Sequence, residues 1–157
     1  MFLFHRQRKG FTLIELLTVI AIIGILFTFL TSGIQTARRK AAQAKCASNL
    51  RNIVVGCQMY ASDHNERFPK SLDDLYPDYV DNLEVFMCPG SGSEAPASAS
   101  SGDYTYVSGL TTSDPSTTII AHDNPDNHRG RGGNVAAVGG DVRWQPGSGG
   151  SWSPSLD

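Results

Sequence analysis

The chain has 157 residues, with 13 Lys and Arg against 15 Asp and Glu, for a formal net charge of −2. That length holds one modest domain plus an anchor, and so balanced a charge offers no basic field to nucleic acid. Three cysteines are too few for a disulfide-dense scaffold and are not spaced as a zinc motif.

Residues 1–10 form a short basic leader, with His5, Arg6, Arg8 and Lys9 before Gly10. The apolar run 11–34 follows. As a helix its 24 residues span about 36 Å, against a hydrocarbon core of about 30 Å, so it is a membrane-spanning element. A cleaved secretory signal would be shorter and would be followed promptly by a small-residue cleavage site; a plain uncleaved anchor is the alternative. Arg38, Arg39, Lys40 and Lys45 follow the run, so basic residues flank both ends and do not orient it.

Glu15 is the only charged side chain between Phe11 and Ala37. A charge at the bilayer centre costs about 2.5–3.5 kcal/mol on insertion scales and marks a functional position. Glu15 lies one helical turn after Phe11, on the same face. A cut between Gly10 and Phe11 would place a positive amine at the helix start, where the carboxylate also meets the helix dipole. In an assembly the carboxylate would neutralise the amine of a neighbouring copy and so set the register of parallel helices.

These residues carry a resemblance. A basic leader ending in glycine, then "FTLIE", then an apolar helix, resembles the type III signal of type IV pilins and type II secretion pseudopilins. The resemblance implies cleavage after Gly10 by a prepilin peptidase, methylation of the new terminus at Phe11, and an assembly role for Glu15. It also implies the orientation: N-terminus cytoplasmic, one pass through the inner membrane, and a periplasmic head. Many helices of that family carry proline where this chain has Ser32; here Gly24 and Gly33 are the weak points, each costing about 1 kcal/mol relative to alanine.

The helix is expected to continue over 35–61, alanine-rich and free of proline. Cys46, Leu50, Ile53, Cys57 and Tyr60 make an apolar stripe that needs a partner. The segment "CASNLRNIVVGC" resembles the Cys-x-x-Asn-Leu-Arg-Gln-Ile segment of the major (G-type) pseudopilins, with Asn52 in place of glutamine. In "NERFPKSLDDLYPDYV", Ser71 and Asp74 approximate a capping box for a short helix between Pro69 and Pro77. Phe68, Leu72, Leu75 and Tyr79 are placed to close over the long helix.

"VFMCP" reads as a short buried strand, and "GSGSEAPASASSG" as a flexible loop without core-forming residues. "DYTYVSG" and "STTIIAHD" read as strands. "NVAAV" and "DVRW" around Gly139 and Gly140 read as a hairpin on a two-residue turn. The hairpin resembles a "NVLFADGHVRW"-like ending of relatives, but Gly139, Gly140 and Asp141 replace Asp-Gly-His, so no ligand role of those side chains carries over. A flexible tail is expected over 145–157, with Trp152 the one residue able to dock. The head is thus 62–144, and the fold class is α+β: a type IV pilin-like fold, with a long N-terminal helix packed on a small antiparallel sheet.

His122, Asp123, Asn124, Asp126, Asn127 and His128 crowd one loop. Oxygen-rich loops suit calcium, and the resemblance implies a calcium-bound loop in this region, with Asp123 and Asp126 as candidate ligands. Asp, Asn, Pro and Gly are also ordinary loop formers. Zinc held by His122, His128 and an aspartate is a weaker reading, with only two histidines near each other. No serine sits in a nucleophile elbow, and the glycines at 130–133 lack the lysine of a phosphate loop, so no enzyme is expected.

Cys46 and Cys57, eleven residues apart on one helix, lie roughly 16 Å apart, beyond the Cα separation of about 7 Å that a disulfide allows. Any intrachain bridge must use Cys88. Relatives with the Cys-x-x-Asn-Leu-Arg segment tend to have a Cys-Pro after the short strand, which implies Cys46 with Cys88; three reduced core thiols are the alternative. The resemblance as a whole implies a subunit that polymerises with itself into a pseudopilus of a type II secretion-type system, or into a type IV pilus. Its implied partners are minor pilins or pseudopilins, the prepilin peptidase and an inner-membrane assembly platform. A monomeric anchored binding module is the reading from another class.

Overall fold

No proline interrupts the chain between Phe11 and Phe68, and leucine, isoleucine and alanine dominate much of that stretch. These residues form one α-helix, α1, Leu13–Asp63, in a computed structural model that describes residues 10–148 and 150–155. Of the leader expected over 1–10, only Gly10 falls among the described residues.

The chain divides into two units, Met1–Arg38 and Arg39–Asp157, and α1 runs through both. In the first unit the helix is clothed in exposed apolar side chains, among them Leu13, Ile20, Ile23, Leu26 and Phe29. Among the described residues it is the one helix long and apolar enough to cross a membrane.

In the second unit one face of α1 disappears into a core. Cys46, Leu50, Ile53, Cys57 and Ala61 are fully buried; Tyr60, expected on this stripe, is half-buried at its edge. Gly56 allows a close approach here, since a Cβ would stand 2.8 Å from a methyl of Val80. The opposing layer is a four-stranded antiparallel meander in the order β1-β2-β3-β4: β1 Tyr104–Tyr106, β2 Ile119–Asp123, β3 Gly132–Ala137 and β4 Val142–Pro146. The register pairs Tyr104 with Asp123, His122 with Val135, and Asn134 with Trp144. A shift in register between Ile119 and Ala121 lets the consecutive Ile120 and Ala121 both join the helix-side core, while Ile119 joins Val135 and Trp152 in a second cluster.

The segment after α1 closes the core as expected. Ser71 caps a short 3-10 turn, Leu72–Leu75: its hydroxyl accepts from the Asp73 N–H, and its own N–H donates to Asp74 Oδ2 at 3.0 Å. Phe68, Leu72 and Leu75 are buried, and Tyr79 donates its hydroxyl to Asp63 Oδ2.

Four local expectations change. "VFMCP" is not a strand: Leu83–Phe86 is a 3-10 turn, because Asn82 caps it by accepting from the Glu84 N–H at 2.8 Å. A short apolar run suits either form by pattern alone. The loop 90–102 does contribute to the core, since Ala99 is buried and the Ser100 N–H donates to Asp73 Oδ1. The hairpin turn is wider than two residues: Val138 and Gly139 still donate back to Thr118 and Ser116, so the chain reverses only after Ala137 N–H meets the Asp141 carbonyl. Gly140, at φ +89°, supplies the left-handed residue that this reversal uses.

The fourth change is the tail. Gln145 and Pro146 extend β4, Gln145 exchanges hydrogen bonds with the backbone of Ser155, and Trp152 is only 6% exposed. The indole covers Gly133 on β3, where any side chain would collide with it. An apolar ring of that size, with a glycine-floored slot to fill, outweighs the entropy of a short glycine- and serine-rich segment.

Candidate functional sites

The first site is the start of α1. Gly10 and Phe11 precede the helix in open backbone, and Phe11 is 75% exposed. Thr12 is the residue before the first helical position. Its N–H and hydroxyl both donate to Glu15 Oε2, at 2.9 and 2.6 Å, and the Glu15 N–H donates to Thr12 Oγ1 at 3.4 Å. This is a reciprocal capping box, which gives two otherwise orphaned amides a partner and holds the carboxylate at the positive end of the helix dipole. The Thr-x-x-Glu spacing was visible in the sequence, but the reading of Glu15 as partner to an amine passed over it. Thr18 and Thr28 hide their hydroxyls by donating to the carbonyls of Glu15 and Ile25, which lets hydroxyl groups sit in an apolar run without a stranded donor.

The second site is the segment 122–128, the end of β2 and the loop after it. Its polar residues separate into two groups. Asn124 accepts from the Thr105 hydroxyl at 2.6 Å, Asn127 donates to the Asp103 carbonyl at 2.7 Å, and Asp126 is exposed. His122 holds the Asp123 carbonyl with Nδ1, 2.8 Å away. These contacts shape the loop. Asp123 and His128 instead turn inward: Asp123 is fully buried, and His128 Nε2 lies 3.2 Å from Asp123 Oδ2, with the imidazole itself 6% exposed. Asp123 Oδ2 also accepts from the Asn134 N–H and side-chain amide, at 2.6 and 3.0 Å. Asp123 and Asp126, paired as calcium candidates, therefore lie in different environments, one buried and one at the surface.

The inward pair meets two sulfurs. Cys46 of α1 and Cys88, which follows the turn Leu83–Phe86, form a disulfide with Cα atoms 5.3 Å apart, and Cys57 is a buried free thiol. Cys88 Sγ lies 3.6 Å from His128 Nε2 and accepts from the Gly90 N–H at 3.3 Å. One ligand-type atom from each of Cys46, Cys88, Asp123 and His128 falls within a sphere where all lie closer than 4.8 Å to one another. The sequence showed each pair separately; Cys46 and Asp123 are 77 positions apart, and only the fold joins them. Desolvation pushes the Cys57 thiol up to about 12, with a hydrogen bond to Tyr106 opposing it weakly.

The chain matches the family model described as the prokaryotic N-terminal methylation motif over residues 5–31. It is 45% identical over 60 residues to the type IV wide pilus major component PilA4 of Thermus thermophilus, covering 38% of this chain and 46% of that protein. It is 28% identical over 99 residues to the type II secretion system core protein G of Aeromonas hydrophila, covering 63% of each. With the protein of the same description from Pectobacterium carotovorum it shares 34% over 71 residues, covering 45% of this chain and 44% of that one. The chain thus spans about half to two thirds of the length of these relatives. No solved structure matches it. In the motif at its helix start and across this run of relatives, the chain is similar to type IV pilins and to type II secretion pseudopilins.

Proposed function

We propose that the chain is a filament subunit, anchored in the inner membrane by the first half of α1 and polymerised through that helix into a pseudopilus of a type II secretion-type system. The observation that carries this reading is the methylation motif set on the first half of a helix whose apolar side chains are exposed there and whose one charge before Arg38, Glu15, stands at its first turn. Such a surface has to be covered, first by lipid and then by copies of itself. A prepilin peptidase removes residues 1–10 on the cytoplasmic side and methylates Phe11. Minor subunits and an inner-membrane assembly platform feed the growing filament, whose work is mechanical and needs no catalytic residue.

Mass spectrometry of protein extracted from membranes tests the first step. A chain that starts at Phe11 with a methylated amine supports the reading; an intact Met1 or a cut beyond Ile34 overturns it. Electron microscopy of cells overproducing the protein tests assembly. A type IV pilus subunit is the second reading, favoured by the 45% identity to a wide-pilus component; filaments extending from the cell surface would select it over a periplasmic pseudopilus.

A further inference from the structure

We propose that Cys46, Cys88, Asp123 and His128 form a buried zinc site in the thiol-reduced protein, so that α1 is fastened by a disulfide to the segment after Leu83–Phe86 in one state and by a metal ion to that segment, β2 and the loop after it in the other.

The donor set is two sulfurs, one imidazole nitrogen and one carboxylate oxygen, which is zinc chemistry rather than calcium chemistry. Tetrahedral zinc holds sulfur at about 2.3 Å and nitrogen at about 2.0–2.1 Å, which separates the two donors by roughly 3.5 Å. Cys88 Sγ and His128 Nε2 are 3.6 Å apart. A nitrogen and an oxygen on the same ion come to roughly 3.4 Å, and His128 Nε2 and Asp123 Oδ2 are 3.2 Å apart. The two spacings that His128 Nε2 makes, to Cys88 Sγ and to Asp123 Oδ2, thus already match those of a shared ion. The remaining change is that the two sulfurs, bonded here, part to roughly 3.8 Å.

The surroundings are built for a charged centre. Asp123 Oδ1 is buried with no hydrogen-bond partner, in a carboxylate whose other oxygen takes three. An unpartnered buried oxygen costs free energy, and a cation beside the carboxylate offsets that cost electrostatically. Asn134 fixes the carboxylate and also donates to the Gln43 carbonyl of α1, at 3.3 Å; such outer contacts orient ligands in metal centres. The Gly90 N–H points at Cys88 Sγ, a contact that stabilises a thiolate. Gly90 must be glycine for the imidazole to lie where it does, because a Cβ would stand 2.6 Å from His128 Nδ1. Trp144 meets the same ring edge-on at 5.2 Å.

The chemistry balances. A phosphine reductant and one water convert the disulfide to two thiols and a phosphine oxide. Zinc then displaces the two thiol protons to give a neutral dithiolate, to which His128 adds a neutral donor and Asp123 one negative charge. The disulfide and the metal exclude each other, since the bonded sulfurs carry no thiolate to donate.

The test uses the full chain in detergent, oxidised or treated anaerobically with a phosphine, then offered zinc and freed of excess by gel filtration. The expected result is about one zinc per reduced chain and none per oxidised chain, with cobalt(II) in place of zinc giving thiolate charge-transfer and tetrahedral ligand-field absorption. His128→Ala keeps both cysteines and so can be purified in the oxidised fold; after reduction its zinc affinity should fall by roughly 10–100-fold or more. Reduced protein that stays folded by circular dichroism without taking up zinc overturns the proposal, as does equal zinc in oxidised protein or wild-type affinity in His128→Ala. If reduction unfolds the chain, refolding by zinc supports the site and failure of zinc to refold it counts against it.

Discussion

The carboxylate of Glu15 is held by Thr12 of its own chain, which donates to it from both backbone and side chain. An isolated subunit therefore does not carry a bare charge into the apolar layer. The bond from the Thr12 amide survives a cut after Gly10, because Thr12 would be the second residue of the product. A neighbour's amine must then compete with Thr12 for the same oxygens, and assembly exchanges one partner for a stronger, charged one.

This sets the ranking of variants at the helix start. Glu15→Ala should insert into the membrane at wild-type levels and form few or no filaments. Glu15→Asp should be milder, its shorter stem limiting reach, and Thr12→Val milder still, since the carboxylate remains for the neighbour. Immunoblots of membranes alongside filament imaging check the order. If Thr12→Val proves as severe as Glu15→Ala, the carboxylate matters as a cap and not as a register device.

Non-reducing peptide mapping should recover Cys46 joined to Cys88, with Cys57 free. The bridge closes a sequence separation of 42 residues; loops of that size are stabilised by about 2–4 kcal/mol when cross-linked. Cys88→Ser in metal-free buffer should lower the unfolding free energy by that amount in a denaturant titration. A loss near zero would mean that packing alone holds Cys46 of α1 beside Cys88.

Cys57 should resist alkylation in the folded protein and react on unfolding. Burial raises its thiol from the ordinary 9.0 to about 12, so between those values the folded chain keeps a proton that the unfolded chain has released. The corresponding stability is complete below pH 9.0 and is lost progressively as pH rises towards about 12. Tyr104 and Tyr106, also raised chiefly by burial, act in the same direction. Cys57→Ala should therefore flatten, without abolishing, the alkaline fall in stability measured by denaturant unfolding across that range. An unchanged slope would remove Cys57 as a cause.

Trp152 and Gly133 should behave as one unit. Trp152→Ala empties the slot over Ile119 and Val135 and should cost about 3 kcal/mol. Gly133→Ala pushes the indole out of the same slot and should cost about 1–3 kcal/mol. The double variant should fall well short of the sum, since a methyl on Gly133 has nothing to collide with once the ring is gone. Additive losses would show that the indole does not rest on Gly133 in solution.

Much of the molecule was legible in residue order because its signals are local. The apolar run, the lone Glu15, the Gly10–Phe11 junction and the four-and-three spacing along α1 each depend on neighbours within a turn or two, and periodicity reports such neighbours directly. The capping box of Ser71 and Asp74 was read for the same reason. Thr12 belongs to this class too, because a Thr-x-x-Glu spacing is itself a local capping-box signal.

What tertiary structure decided lies where local pattern is silent. The start of "VFMCP" lies in the 3-10 turn Leu83–Phe86 because Asn82 caps that turn. The tail is held because a glycine on β3, more than ten residues earlier, leaves room for Trp152. The centre at Cys46, Cys88, Asp123 and His128 takes one residue from a helix, one from the segment after a turn, one from a strand end and one from a loop. Sequence alone offered a disulfide pair and a polar loop as separate features. Packing α1 against the meander buries both in one place, where low dielectric makes every unpaired oxygen and sulfur count.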